Sequence, residues 1–375
     1  MNNKIKTITI KNMKNSSLLF GVMSGTSLDG IDIVLIDKKN KAINIIDFIN
    51  IPYTENTKKK FLALHSNQHS DLLKSIEMSL FHAKITAIGI KKILKKLKLT
   101  AKDIKCIGYH GQTIRHLPKN GYSIQLGNAG LLSELTKITV VSDFRNRDIQ
   151  AGGQGAPLVP AFHNEFFFKN KINRVIINIG GIANITFLPS DGRIIGFDSG
   201  PGNILLDHWI YINKKKNYDN LGKWARSGKL INDLLLNFKK ESFFKKSLPK
   251  STGRDLFNIN WLNKFNIKKY TAEDIQRTLL ELTVVSISDA VKKYCSNIDE
   301  IYICGGGSQN KFLIERLESI IDINVNTTDK LNIPAQQVEA IAFAWLAEKC
   351  LNKEYNNSPS ITGSKGYRIL GVIHY

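Results

Sequence analysis

Two glycine turns constrain this chain more than any other feature. Gly21-Val22-Met23-Ser24-Gly25-Thr26-Ser27-Leu28-Asp29-Gly30-Ile31-Asp32 and Asn178-Ile179-Gly180-Gly181-Ile182-Ala183-Asn184 each sit between apolar runs of strand length, about 155 residues apart in a chain of 375. Residues 18–22, 31–36 and 43–51 read as strands around the first turn, and 175–178, 184–188 and 194–197 around the second. The plan of strand, turn, strand, strand is thus repeated by pattern and not by identity, which predicts two lobes of related topology. At this length a single core has usually stopped growing.

Between and after these units, strands alternate with helical stretches, the signature of the α/β class. Residues 71–97 carry Leu72, Ile76, Leu80 and Ala83 at helical spacing. A helix capped by Thr271, with Asp274 three residues on, is expected to run to about Lys293; others follow Asn310 and span 334–350. Gly152, Gly153, Gly155, Pro157 and Pro160 crowd into one segment and mark a loop or a junction. The division expected is a first lobe over 1–148 and a second over 149–339, with residues 340–375 packing back on the first.

Net charge is +21, which on its face points to nucleic acid or an anionic membrane. The cations, however, are 43 Lys against 10 Arg, scattered among Asn and Ile, whereas readout of bases and phosphates favours the arginine fork. No specific nucleic-acid partner is expected, although the field would draw in anionic small molecules. No apolar run approaches the length of a membrane span, and the lysines at 4, 6, 11 and 14 precede no secretory signal core. Cys106, Cys295, Cys304 and Cys350 are widely spaced without a C-x-x-C pair, as in a reduced cytoplasmic protein.

Five groups of residues carry chemistry. In the first turn, glycines allow backbone N–H groups to converge on an anion, Thr26 and Ser27 add hydroxyls, and Asp29 and Asp32 suit Mg²⁺ directly or through water. An ordinary hairpin is the other reading, and the chain contains no Walker A pattern. Gly180 and Gly181 repeat the same logic. In Gly196-Phe197-Asp198-Ser199-Gly200-Pro201-Gly202-Asn203, Asp198 falls at a strand end just before a helix, as an N-cap or as a base kept ionised by the helix N-terminus. Cys304-Gly305-Gly306-Gly307-Ser308 is a strand-to-helix turn, either structural or open enough for a nucleobase and ribose. His110, Gln112, Thr113 and Arg115, with Asp143, Arg145, Arg147 and Asp148, suit a carboxylate-bearing ligand or ion pairing between lobes.

Taken together, these blocks resemble the anhydro-N-acetylmuramic acid kinase family of the sugar kinase/actin superfamily. The likeness runs through GVMSGTSLDGID from Gly21, GYHGQTIRH from Gly108, SDFRNRDIQAGGQGAPLVPAFH from Ser142, NIGGIANI from Asn178, GFDSGPGN from Gly196, PKSTGRDLFN from Pro249, CGGGSQN from Cys304, VEAIAFAWLA from Val338 and SITGSKGYRILG from Ser360. The resemblance implies a two-lobed actin/hexokinase-like, ribonuclease H-like fold with an interlobe cleft. It implies a cytoplasmic, ATP- and Mg²⁺-dependent kinase that opens 1,6-anhydro-N-acetylmuramic acid with water, phosphorylates O6 and acts as a homodimer.

By the same resemblance Asp198 is the base. Gly25, Thr26, Ser27, Leu28, Asp29, Gly30, Ile31 and Asp32 lie at the ATP phosphates with Gly180, Gly181 and Asn184, and Gly305, Gly306 and Gly307 lie near adenosine. Ser24, Thr26, Arg147, Asp148 and Glu339 meet the sugar, and Asp29 reaches Mg²⁺ through water. Asn146 stands where the family commonly has Arg, Leu117 stands where an acidic residue often follows the His, and the tail before Leu18 is extra. A superfamily kinase for another amino sugar or hexose, or an actin-like ATP-binding scaffold, are the alternatives.

Overall fold

Residues 17–25, 27–65 and 72–375 are described by a computed structural model. Thr26 and the tail lysines lie outside the described residues, as does the first residue of the 71–97 stretch.

The first sheet is built on β1 (Ser17–Ser24), whose Leu18, Leu19, Phe20 and Val22 are all buried, as befits a strand covered on both faces. β2 (Gly30–Lys39) and β3 (Ala42–Pro52) extend it antiparallel on one side. β4 (Ile104–Leu117) and β6 (Val140–Ser142) extend it parallel on the other. β5 (Tyr122–Leu126) folds back on β4, and β12 (Val372–His374) returns from the far end of the chain to pair with β6. Gly111, at φ +74°, does not end β4; a register shift there carries the strand on to Leu117.

The second sheet runs β9 (Ile195–Pro201), β8 (Ile182–Leu188), β7 (Arg174–Ile179), β10 (Glu300–Cys304), β11 (Val325–Thr327). β7, β8 and β9 are antiparallel, while β10 and β11 join β7 in parallel. Strand for strand this is the order β3, β2, β1, β4, β6 of the first sheet, so the repeat read from two glycine turns is a repeat of topology. The fold is the two-lobed α/β architecture that the sequence implies.

Helix Val338–Leu351 lies in the layer between the sheets. Its buried face joins Leu19, Val34 and Ile36 of the first sheet and Ile176 and Tyr302 of the second in one cluster with Phe162 and Phe167. It approaches the first sheet backbone to backbone: a Cβ at Gly21 would fall 1.8 Å from the carbonyl oxygen of Ala340, and one at Gly108 2.0 Å from that of Phe343. Lys38 and Lys105 fasten it further through Glu348, at 2.9 and 3.0 Å.

The outer faces are covered by helix Leu72–Leu97 on the first sheet and helix Ala272–Tyr294 on the second. The latter starts where expected, with the Thr271 hydroxyl accepting from the Asp274 N–H. The helix expected from Pro334 begins only at Val338, because Pro334 to Gln337 form a turn closed by Gln337 N–H to Pro334 C=O. No helix among the described residues is long and apolar enough to cross a membrane, and the four cysteines are free and buried.

Candidate active site

Antiparallel register places residues of neighbouring strands side by side on one face of a sheet. Asn178 on β7 is opposite Asn184 on β8, and Asn184 is opposite Asp198 on β9. The three side chains therefore form a polar row just below the Gly180-Gly181 turn. Helix Val338–Leu351 extends the row, since Glu339 in its first turn accepts from Asn178 Nδ2 at 3.1 Å. In the middle of the row, Asn184 Oδ1 is buried and has no hydrogen-bond partner among the described residues.

Asp198 is 6% exposed. Its Oδ2 accepts the Thr252 N–H at 2.9 Å, and its own N–H donates to Lys250 C=O at 3.2 Å, so the segment after Pro249 is laced to β9. Burial drives the carboxyl up to about 7, against the downward pull of the Thr252 N–H and of the Arg145 and Lys250 charges. The expectation of a carboxylate held low by a helix N-terminus is corrected here. β9 continues to Pro201 and the helix begins only at Ile204, where Gly202, Asn203 and Ile204 N–H groups are spent on the carbonyls of Gly180 and Gly181.

Arg145 is the electrostatic hub. The charges of Glu339, Asp198 and Asp148 all favour its guanidinium, while burial works against it. One arm donates to Gly155 C=O at 2.8 Å; Nε and Nη2 approach His110 Nε2 at 3.2 and 3.0 Å. Burial and Arg145 hold His110 well below its usual range. The ring is therefore neutral, with Nδ1 donating to Gly111 C=O at 2.7 Å and Nε2 accepting from Arg145.

In the first turn, Ser24 Oγ lies 2.8 Å from the Tyr53 hydroxyl and 2.5 Å from Gln112 Oε1, and Gln112 Nε2 donates to Gly25 C=O at 3.0 Å. Leu28 and Ile31 point into the core, so only their backbones face the cleft side of the turn. Ser27 is half-buried and Asp29 is exposed. Asp32 accepts from Asn50 Nδ2 at 2.8 Å, and burial, with the Asp29 charge adding to it, raises its carboxyl. Burial and then Asp29 likewise push Asp207 well up, opposed by Arg254. Arg254 belongs to the same segment as Thr252 and is favoured by the charges of Asp29 and Asp207, so one stretch of chain reaches both Asp198 and the surroundings of the first turn.

Gly305, at φ +79°, turns β10 into a short helical turn over Gly306 and Gly307, and Gln336 Nε2 donates to its carbonyl at 2.9 Å. A Cβ at Gly307 would lie 2.3 Å from the Ile179 side chain, and Asn203 Nδ2 donates to Ile179 C=O at 3.3 Å. The glycine triplet is thereby set directly against the second glycine turn.

Arg147 and Asp148, both expected at the sugar, lie in the short helix Asn146–Gln150. Arg147 is exposed on helix Asn146–Gln150. Asp148 is fully buried, with Oδ2 accepting the Gly155 N–H and Oδ1 the Thr362 hydroxyl, each at 2.8 Å. It ties the glycine loop to the C-terminal segment. Asn146, the departure noted above, accepts the Ser123 N–H at 2.8 Å and donates to Asp143 at 2.8 Å.

Sequence reasoning passed over Tyr53, Asn203, Thr252, Arg254 and Gln336. The block from Pro249 was a signal for Thr252 and Arg254, whereas nothing local marks Tyr53.

The family model described as anhydro-N-acetylmuramic acid kinase matches residues 17–375. Proteins named anhydro-N-acetylmuramic acid kinase from Pseudomonas syringae pv. tomato and from Nitrosomonas europaea are each 46% identical over 357 residues, covering 94% of this chain and 98% of theirs. One of the same name from Aliivibrio fischeri is 42% identical over 361 residues, with the same coverages.

Proposed function

The chain belongs to the anhydro-N-acetylmuramic acid kinase family, and from that premise we propose how its own residues perform the reaction. The enzyme is a phosphotransferase that takes 1,6-anhydro-N-acetylmuramic acid, water and ATP to N-acetylmuramic acid 6-phosphate and ADP, a step of peptidoglycan recycling.

Asp198 takes a proton from water as that water attacks the anomeric carbon. The bond from this carbon to O6 breaks, O6 forms its bond to the γ-phosphorus, and ADP departs; the proton on Asp198 then passes to solvent. The arrangement is that of an inverting glycosidase in which the leaving oxygen goes to phosphorus instead of to an acid. A base with a pKa near 7 suits such a step, being about half ionised near neutral pH yet strong enough to accept a proton. The observation that carries the reading is the buried Asp198 carboxylate beside the unpartnered Asn184 Oδ1. Asn184 is accordingly assigned to the attacking water or a sugar hydroxyl as well as to the phosphate turn.

Glu339 and Arg145 would orient the sugar, with Ser24 and Gln112 fixing the first turn around the phosphates. Gly305 to Gly307 would back the adenosine. Asp148 acts at a distance by holding the loop whose Gly155 carbonyl anchors Arg145. Mg²⁺ would sit at the first turn, where burial and then the charge of the exposed Asp29 raise the carboxyls of Asp32 and, on helix Ile204–Lys214, of Asp207. Asp29 would hold the ion through water, and the ion, when bound with ATP, neutralises phosphoryl charge. Action in the cytoplasm, where ATP is supplied, and a homodimeric assembly complete the proposal.

The test is a coupled ADP-release assay with the anhydro sugar, with the product identified by mass spectrometry. Release of ADP without formation of the sugar phosphate would defeat the reading.

A further inference from the structure

Behind β9, on the face opposite Asp198, a cavity of about 70 Å³ lies between helix Ala272–Tyr294 and the Lys250 segment. Ser199, the extra residue of a bulge in β9, lines this cavity, and Phe197 lies beneath the Lys250 ammonium. The lining is cationic: Lys239, Lys250 and Lys293, against the single carboxylate of Asp289, which is already paired with Lys239 at 2.9 Å.

Lys250 is 7% exposed, and among the described residues no carboxylate lies within ion-pair distance of it or of Lys293. Its ammonium instead hangs over two rings, 4.8 Å from the centre of Phe243 and 5.9 Å from that of Phe197. Ring faces compensate only part of the cost of burying an ammonium. The two lining hydroxyls spend their protons on backbone carbonyls, Ser199 Oγ on Ala183 and Ser286 Oγ on Thr283, so donation to an anion falls to the lysines alone. The space holds several heavy atoms.

We infer that this cavity is a binding site for a tetrahedral oxyanion of the phosphate class, held between the ammonium groups of Lys250 and Lys293. Nothing in the proposed reaction uses the site. Its effect on turnover, though, rests on Asp198 being the base. The charges that act on Asp198 are those of Arg145 and Lys250; those that act on Lys250 are Lys293, Asp198 from across the strand, and Lys246. An anion that neutralises Lys250 weakens its hold on the Asp198 carboxylate, so the acid limb of the rate profile moves to higher pH.

The full chain, saturated with a non-hydrolysable ATP analogue so that the phosphate turns are filled, is titrated calorimetrically with inorganic phosphate at low salt. One site is expected, weakened at least tenfold in Lys293→Gln, absent in Lys250→Met and retained in Lys250→Arg, which controls for folding. N-acetylglucosamine 6-phosphate in the same experiment separates a free ion, which alone gives heat, from a sugar phosphate whose head group enters the cavity, which gives heat with both. No phosphate site in the wild type, or equal binding in Lys293→Gln and Lys250→Met, overturns the proposal. In the kinetic arm, phosphate shifts the acid limb of wild type but not of Lys250→Met. Binding without that shift keeps the site and removes its link to Asp198.

Discussion

The two lobes place an Asp and an Asn at matching points and treat them oppositely. In the first sheet, Asp32 is the third residue of β2 and faces Asn50 of β3; in the second, Asn184 is the third residue of β8 and faces Asp198 of β9. Asp32 and Asn50 satisfy each other with a 2.8 Å bond, and Asn50 is open to solvent. Across the cleft the order of acid and amide is reversed and the pair does not close. Asp198 is held by a distant N–H, and Asn184 keeps an idle oxygen. An acid that is satisfied by its neighbour is structural, whereas one stripped of water and left facing an open amide is available for chemistry.

Replacing Asp198 by Asn makes the second row amide throughout and is expected to break the comparison most severely. Activity in the ADP-release assay should fall by about 10²–10⁴-fold. Stability should move the other way. Because the folded carboxyl titrates near 7 and an unfolded one near 3.8, folding favours the protonated form, and stability is lost as pH rises between those values. The variant should therefore gain on the order of a few kcal/mol over wild type at pH 8 in denaturant titrations, a gain that vanishes towards pH 4.

The wild-type profile sharpens the same point: kcat/KM should fall about tenfold per pH unit below about 7. Arg145→Met should push that limb higher still, since it removes a cation that favours the carboxylate. Asn184→Ala should cost about tenfold in kcat/KM while leaving stability unchanged or improved, because the oxygen it removes has no partner to lose. A loss of stability matching the loss of activity would instead make Asn184 structural. Least of all is expected from Asn50→Ala, where a surface bond is deleted: under about 1 kcal/mol in stability and only a few-fold in activity.

Both glycine turns, their flanking strands and the doubling were legible, because glycine clusters between buried runs leave few other folds open. Thr271 announced its helix for the same local reason. What was not legible depended on partners far along the chain. The pKa of Asp198 is set by burial, by Thr252 fifty-four positions on and by Arg145 from the segment after β6. No local pattern encodes such a sum, and the helix-terminus argument failed because β9 runs four residues further than its apolar portion. The partners of Asp148 were hidden for a related reason: it accepts from the Gly155 N–H and from the hydroxyl of Thr362, 214 positions on.

The seating of helix Val338–Leu351 has one more consequence. With the Ala340 and Phe343 carbonyls pressed on Gly21 and Gly108, the helix has no freedom to slide and must travel with the first sheet as a single rigid piece. Its Glu339 meanwhile grips Asn178 of the second sheet. A methyl group added at position 21 would therefore be felt across the seam, and a substitution far from any ligand would read out kinetically as a misaligned sugar.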